Sequence, residues 1–268
     1  MWSRIAPLAL VALSATLCNP AHAAAASWRR VVLVELFTSQ GCSSCPAADA
    51  FVRDLPTLGL SRDKVVPLTF HVDYWDGLGW KDRFARPEFT ARQEWYARGG
   101  RLRPPEGTAG ISGLYTPQMI VDGRVHLSGG RRAEAVREME RAAERPASFD
   151  VAATSSVRGD AVDVQILVTN RVSDGRGPDW RAQVGLTTRR ARTIVARGEN
   201  AGSTLEEAAV VRALSERVAI PPGGDAAVRV RLTKPAEVPW SEVDIVAFAQ
   251  SDKTGEVGAA VQISPTGR

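Results

Sequence analysis

The feature that most constrains this chain is a pair of cysteines, Cys42 and Cys45, set between a strand pattern and a helix pattern. Residues 31–37 are nearly all apolar and rich in β-branched side chains, which predicts a buried strand. Pro46 suits the first turn of a helix, and apolar side chains then recur at helical spacing until Gly59. The sequence therefore predicts a Cys-x-x-Cys motif that opens a helix directly after a strand.

That placement favours thiol–disulfide chemistry. A helix N-terminus presents unpaired N–H groups and a partial positive charge, which stabilise a thiolate and lower the pKa of the first cysteine. Because the thiolate is the species that attacks a disulfide, Cys42 is the predicted nucleophile and Cys45 the predicted resolving thiol. This chemistry requires a Cys42 sulfur that is open to a substrate, so we expect it to be accessible.

The first 23 residues have the pattern of a signal peptide. Arg4 supplies a positive start, residues 5–17 form an apolar run, and residues 21–23 match a small-residue cleavage site. The predicted location is the periplasm or the exterior, without stable membrane insertion, because no apolar run is long enough to span a bilayer. After cleavage only Cys42 and Cys45 remain, which is too few cysteines for a disulfide scaffold.

Composition limits the partners. The net charge is +4, from 34 basic and 30 acidic residues interspersed along the chain. The absence of a basic stripe gives no support for a nucleic-acid partner. The expected partners are protein or small disulfide and thiol substrates, together with a redox partner that the sequence does not identify. No cofactor and no metal ligand set are predicted.

The predicted element order up to Pro146 is β-α-β-α-β-β-α, with a hairpin turn at Asp122-Gly123. Beyond Pro146 short alternating strands follow, a pattern typical of a β-sandwich. The predicted division is residues 28–146, an α/β domain, and residues 147–268, an all-β sandwich-like domain.

The element order and the position of the dithiol resemble the thioredoxin superfamily. Residues 35–46 (ELFTSQGCSSCP), 71–76 (HVDYWD), 79–82 (GWKD), 115–118 (YTPQ) and 198–205 (GENAGSTL) resemble a bacterial family of secreted proteins that carry a domain of unknown function. The resemblance implies a thioredoxin-like domain followed by a β-rich domain, and no known substrate.

The resemblance also implies roles for single residues. Thr116-Pro117 corresponds to a cis-proline facing the dithiol, with the Thr116 backbone free to pair with an extended substrate; the alternative is an ordinary trans turn proline. Glu35 corresponds to a buried acid behind the dithiol that exchanges protons with the second cysteine, although its spacing to Cys42 is one residue longer than usual. It can also point outward or bond to loop backbone.

Two further segments are candidates for the site. The loop at residues 71–82 is dense in aromatic and acidic side chains, and it predicts a substrate groove wall formed by His71, Asp73, Trp75 and Trp80; the alternative is a structural role in packing and capping. Residues 199–200 are expected to dock against the first domain or to form a turn, with ligand binding as the alternative.

Two functions compete with thiol–disulfide exchange. Thiolates with His71 as a third ligand suit copper(I), although methionine is scarce here. The other alternative is a non-catalytic envelope binding protein, in which the cysteines form an inert disulfide.

Overall fold

The computed structural model describes residues 28–171, 179–222 and 225–266. The predicted signal peptide at 1–23 lies outside these residues. The strands are β1 Val32–Thr38, β2 Val65–His71, β3 Gln118–Val121, β4 Val125–Ser128, β5 Phe149–Arg158, β6 Ala161–Asn170, β7 Trp180–Ile194, β8 Thr204–Leu214, β9 Val218–Ala219, β10 Ala226–Thr233, β11 Val243–Ser251 and β12 Val257–Ile263. The helices are α1 Pro46–Asp54, α2 Pro87–Arg98 and α3 Arg132–Glu144, with 3-10 turns at Leu55–Leu58 and Trp240–Glu242.

The predicted order β-α-β-α-β-β-α up to Pro146 is confirmed. Asp122 and Gly123 both take positive φ values, 51° and 65°, and the Arg124 N–H donates to the Val121 carbonyl. Pairing resumes at Val121 and Val125, so the loop holds three residues rather than the two expected. Glycine suits this turn because it adopts positive φ without steric cost.

Helices cover both faces of β1, and the alternation of its side chains decides which residue meets which helix. Val32, Val34 and Leu36 pack with α1 and α3. Leu33 and Phe37 pack on the other face, with Phe89 and Tyr96 of α2. Since β1 and β2 run parallel, both end at the same edge of the sheet, where α1 begins.

One large mixed sheet runs through both halves of the chain. Its order is β12-β11-β7-β8-β2-β1-β3-β4, with β9 paired to β7. The junction is a parallel contact of β2 with β8 at Thr69 and Val210, and the Thr69 hydroxyl donates to the Ala208 carbonyl at 2.8 Å. Strands from either side of Pro146 therefore share one sheet, while the division of the chain into two domains at that residue stays a prediction.

A separate antiparallel sheet of three strands, in the order β10-β6-β5, packs against the far part of the large sheet. Val164 and Ile166 of β6 share an apolar core with Val184 of β7 and Ile245 of β11. The structure thus consists of a mixed α/β sheet with parallel strands and a small antiparallel sheet laid on it.

Candidate functional site

The two cysteines are joined as a disulfide in the loop between β1 and α1. Cys45 is the N-cap residue of α1 and Pro46 its first residue, as the sequence predicts. The Cα atoms lie 5.4 Å apart, and the Ser44 hydroxyl is 3.3 Å from the Cys42 sulfur. The pair therefore occupies the positive end of a helix, the setting that stabilises a thiolate.

The expectation that Cys42 is accessible is wrong. Cys42 is 1% exposed and Cys45 is fully buried. Residues 198–200, here called the cap loop, lie over residues 40–43. The Asn200 side-chain amide donates to the carbonyls of Gln40 at 2.9 Å and Cys42 at 3.0 Å. A loop between two strands of the second half thus lies against the backbone of the buried dithiol loop.

Glu199 of the cap loop lies beside the helix start. Its carboxylate accepts a hydrogen bond from the Ser43 N–H at 2.9 Å, and hydrogen bonding at Ser43 lowers the pKa of Glu199. Gly79 and Gly198 approach so closely that an added Cβ at Gly198 would lie 3.0 Å from the Trp80 Cβ. The prediction that residues 199–200 dock against the first half is confirmed.

A buried cluster of four titratable side chains lies next to the loop that carries the disulfide: Asp49, His71, Asp82 and Glu207. His71 Nδ1 is 2.7 Å from an Asp82 carboxylate oxygen, and its Nε2 has no hydrogen-bond partner among the described residues. The Gln40 side-chain amide donates to Glu207, and the Gln40 N–H donates to Asp82. The loop before Cys42 is therefore hydrogen-bonded directly to this cluster.

The cluster shifts the pKa of each member. Burial raises the pKa of Asp49 to about 7, opposed by His71. Burial lowers the pKa of His71, but the charge and hydrogen bond of Asp82 outweigh it and raise the value to about 9. Burial raises the pKa of Asp82, yet His71 and two backbone N–H donors hold it below its usual range. Near neutral pH His71 and Asp82 thus form an ion pair, and Asp49 titrates.

Asp49 is the buried acid nearest the dithiol along the chain. Its N–H donates to the Cys45 carbonyl at 3.1 Å, and one of its carboxylate oxygens is buried without a hydrogen-bond partner. A carboxyl group that titrates near neutral pH beside a cysteine is a suitable proton acceptor.

The prediction that Glu35 lies behind the dithiol is wrong. Glu35 is on the α2 face of β1, where it pairs with Arg92 and accepts a hydrogen bond from the Tyr96 hydroxyl. The dithiol opens α1, which packs on the opposite face. Because strand side chains alternate between faces, no change of rotamer brings Glu35 to the dithiol side.

The predicted groove wall divides into two groups. The Trp75 indole donates to the Thr116 hydroxyl at 2.9 Å, and its Cβ would lie 3.4 Å from a Cβ at Gly41. The Trp80 indole donates to the Gln40 side chain at 3.2 Å. Both tryptophans are half-buried beside the dithiol loop, and their role in substrate contact stays a prediction.

His71 does not form such a wall, and the place of Asp73 in it stays a prediction. His71 is fully buried in the cluster described above. Asp73 accepts a hydrogen bond from the Thr90 hydroxyl at 2.6 Å, which holds the loop to α2. Their structural role, the alternative reading of this loop, fits these positions.

The Thr116–Pro117 peptide bond is cis, as predicted. Pro117 is buried, and its carbonyl accepts a hydrogen bond from the Gly129 N–H. Thr116 is half-buried and is connected to Gly41 through Trp75. The cis-proline segment therefore borders the dithiol loop, with Trp75 between them.

The residues from 33 to 250 match the family described as Protein of unknown function (DUF1223). The chain belongs to the DUF1223 family. This span includes both cysteines, the buried cluster and the cap loop.

Two solved structures resemble this DUF1223 protein. Protein AGR_C_4864 from Agrobacterium tumefaciens is 27% identical, with a TM-score of 0.62, and the match covers 90% of this chain and 97% of that chain. HBP35 of Porphyromonas gingivalis is 14% identical, with a TM-score of 0.63, over 90% of this chain and 77% of that chain. No curated protein searched matches the chain. The likeness to HBP35, at 14% identity, concerns the fold alone.

Sequence reasoning missed three residues of the DUF1223 site: Asp49, Glu207 and Gln40. Asp49 follows Cys45 by four residues and precedes Val52 by three, so it lies on the apolar stripe of α1, and an acid on such a stripe is a detectable signal. Gln40 and Glu207 carry no such signal, because they meet only through the pairing of β7 and β8 with the first half.

Within the described ranges, no group of three or more His, Cys, Asp and Glu side chains is arranged to hold a metal ion. The same ranges contain no helix with the length and apolarity needed to cross a membrane.

Proposed function

We propose that this protein is an exported thiol–disulfide oxidoreductase that acts on protein or small disulfide substrates through Cys42 and Cys45. The observation that carries the proposal is the Cys42–Cys45 disulfide at the start of α1, bordered by a cis-proline segment. In this proposal residues 28–146 act as a thioredoxin-like unit, and residues 147–268 form a β-sandwich-like unit that supports it.

The reaction conserves atoms and electrons. The Cys42 thiolate attacks one sulfur of a substrate disulfide, a mixed disulfide forms, and the first substrate thiol leaves. Cys45 then attacks the Cys42 sulfur, which releases the second substrate thiol and regenerates the protein disulfide. Two electrons pass from the protein dithiol to the substrate, and a redox partner that exchanges thiols in the same way completes the cycle.

In this scheme Asp49 takes the place that the sequence assigned to Glu35. Cys45 must lose a proton before it can attack, and only the thiolate is nucleophilic. Asp49 lies one helical turn after Cys45, where its backbone N–H donates to the Cys45 carbonyl. Burial raises the pKa of its carboxyl group to about 7, so we assign it the role of proton acceptor near neutral pH.

Export in this proposal depends on residues 1–23, which carry the pattern of a cleaved signal peptide. The periplasm or the exterior is an oxidising location in which disulfide substrates are present.

The test is reduction of insulin by the fully reduced protein, followed by the precipitation of the insulin chains. We expect activity in the natural protein, none above background in Cys42→Ser, and a trapped mixed disulfide in Cys45→Ser, because that variant attacks but cannot resolve. Ser43→Ala is the matched control, since it alters the same loop without removing a thiol. Full activity in Cys42→Ser, or none in the natural protein, would refute the proposal.

A further inference from the structure

The cap loop is a compact unit held to the dithiol by few contacts. Its flanking residues are bonded to one another, with the Gly202 N–H donating to the Val195 carbonyl at 2.8 Å and the Ser203 N–H to the Asn200 carbonyl at 3.0 Å. Toward the dithiol loop it makes the two Asn200 hydrogen bonds and the one at Glu199. The loop can therefore leave the dithiol as a unit while its internal hydrogen bonds remain.

The closed position blocks the reaction proposed above. A thiolate attacks a disulfide along the line of the two sulfurs and must contact one of them, but Cys42 is 1% exposed and Cys45 has no exposure. Any exchange at this pair requires the covering residues to move first.

The charge of Glu199 makes the closed position sensitive to the redox state. The disulfide is neutral, and the Ser43 N–H before the helix start donates to the Glu199 carboxylate. Reduction creates a Cys42 thiolate one residue from Ser43, and this second negative charge competes for the same positive end of the helix. The closed position is thus more compatible with the disulfide than with the thiolate.

We propose that residues 198–200 form a redox-coupled latch, which is closed over the disulfide and released when Cys42 and Cys45 are reduced. The proposal rests on the proposed function, in which this pair undergoes exchange. Reduction by an external dithiol converts that dithiol to its disulfide and yields the Cys42 thiolate, the Cys45 thiol and one proton. By linkage, closure of the latch favours the disulfide over the dithiol by the same factor as the disulfide favours the closed latch.

The two residues of the latch have different roles. Asn200 is a positioning residue, whose amide holds the Gln40 and Cys42 carbonyls by hydrogen bonds that do not depend on the charge of the dithiol. Glu199 supplies the charge that distinguishes the two redox states. Removing the Asn200 amide should raise the rate of reduction, and removing the Glu199 charge should shift the equilibrium between the disulfide and the dithiol.

The experiment uses the oxidised full chain and dithiothreitol as the reductant. Free thiols are alkylated at timed intervals and counted by mass. We expect Asn200→Ala to be reduced about tenfold faster, because roughly one hydrogen bond's worth of net stabilisation or more is lost from the closed state. We expect Glu199→Gln, which keeps the hydrogen-bond acceptor, to shift the equilibrium toward the reduced form by about 2- to 5-fold.

Glu206→Gln is the matched control. Glu206 is exposed on β8 and pairs distantly with Arg53, so this change removes the same charge from the same hairpin without touching Ser43. It should leave both the rate and the equilibrium as in the natural protein. If Asn200→Ala were reduced at the rate of the natural protein, the closed cap loop would not be a barrier to reduction. If Glu199→Gln left the equilibrium unchanged, closure of the loop would not be coupled to the redox state.

A second measurement needs no variant. Backbone hydrogen exchange across residues 195–203 should be faster in the reduced than in the oxidised natural protein, and equal exchange would also overturn the coupling. Neither measurement depends on insulin reduction. If the latch measurements give the expected results while insulin is not reduced, the proposed function fails and the latch stands. If insulin is reduced but the latch measurements fail, only the latch is refuted.

Discussion

Asp49 places a carboxylic acid on the buried face of α1, where its neighbours Ala48 and Val52 carry apolar side chains. Burying a charge without a partner is unfavourable, so the acid holds its proton to a higher pH than usual. A residue that lowers stability in this way is often retained for chemistry rather than for packing. Asp49 lies one helical turn after Cys45, and the chemistry proposed for it is acceptance of the Cys45 proton.

Asp49→Asn should change how stability depends on pH. Since burial raises the pKa of Asp49 from 3.8 to about 7, the folded state binds one more proton than the unfolded state between these values. The natural protein therefore loses stability as pH rises from about 4 to 7, by at most about 1.4 kcal/mol per pH unit, and this loss ends above pH 7. The stability gained by Asp49→Asn should grow over the same range.

Urea unfolding of the oxidised protein at pH 5, 6, 7 and 8 provides the measurement. His71 keeps its proton in the folded state throughout most of this range, because its pKa is raised to about 9. Asp54→Asn, at the partly exposed end of the same helix, is the control, because it removes a carboxylate from α1 without changing a buried site. A constant difference for Asp49→Asn would contradict the assignment.

At the scale of elements, α2 is the piece that connects the two halves on the side away from the dithiol. Arg92 of α2 pairs with Glu35 of β1 and donates to the side chains of Gln183 in β7 and Gln250 in β11. Phe89 and Tyr96 of the same helix share a core with Phe248 and Val257. One helix thus contacts strands from both sides of Pro146.

Glu35→Gln should destabilise the protein by roughly 3–5 kcal/mol, because Arg92 would remain charged and buried without its partner. Glu35→Met combined with Arg92→Met should recover much of this loss, since no charge is left uncompensated. Urea unfolding measures both, and a single variant as stable as the natural protein would contradict the structural role. The folded double variant should keep the rate at which dithiothreitol reduces the disulfide, as Glu35 faces away from it.

At the scale of the whole molecule, the sheet has no break at Pro146. The β2–β8 contact, the shared packing of α2 and a hydrogen bond from the Val257 N–H to the Asp122 carbonyl at 3.0 Å join the halves. The dithiol belongs to the first half of the chain, and the cap loop that lies against it belongs to the second. The exposure of the dithiol therefore depends on how the two halves pack.

We therefore expect the oxidised protein to unfold in a single cooperative transition. Scanning calorimetry should give equal calorimetric and van't Hoff enthalpies, and far-UV and near-UV circular dichroism should change together. Two transitions with separate midpoints would show that the halves are only loosely coupled.

The sequence by itself was sufficient for the local features of this protein. The strand before Cys42, the helix that Pro46 opens and the turn at Asp122-Gly123 all depend on residues close in the chain, whose dihedral preferences and side-chain periodicity can be read from the sequence. Motif resemblance added the cis peptide bond before Pro117 and singled out residues 199–200, for which docking or a turn was expected. These features place the dithiol at a helix start.

Only the tertiary structure decided which side chains surround that dithiol. The sequence pattern did not predict β7, because this strand is buried on both faces over much of its length and so lacks alternation. Its partner β8 was not predicted either. These strands bring Glu207, Glu199 and Asn200 to the site, and the strand register turns Glu35 away from it. Such contacts join residues more than a hundred positions apart, and neither propensity nor spacing encodes them.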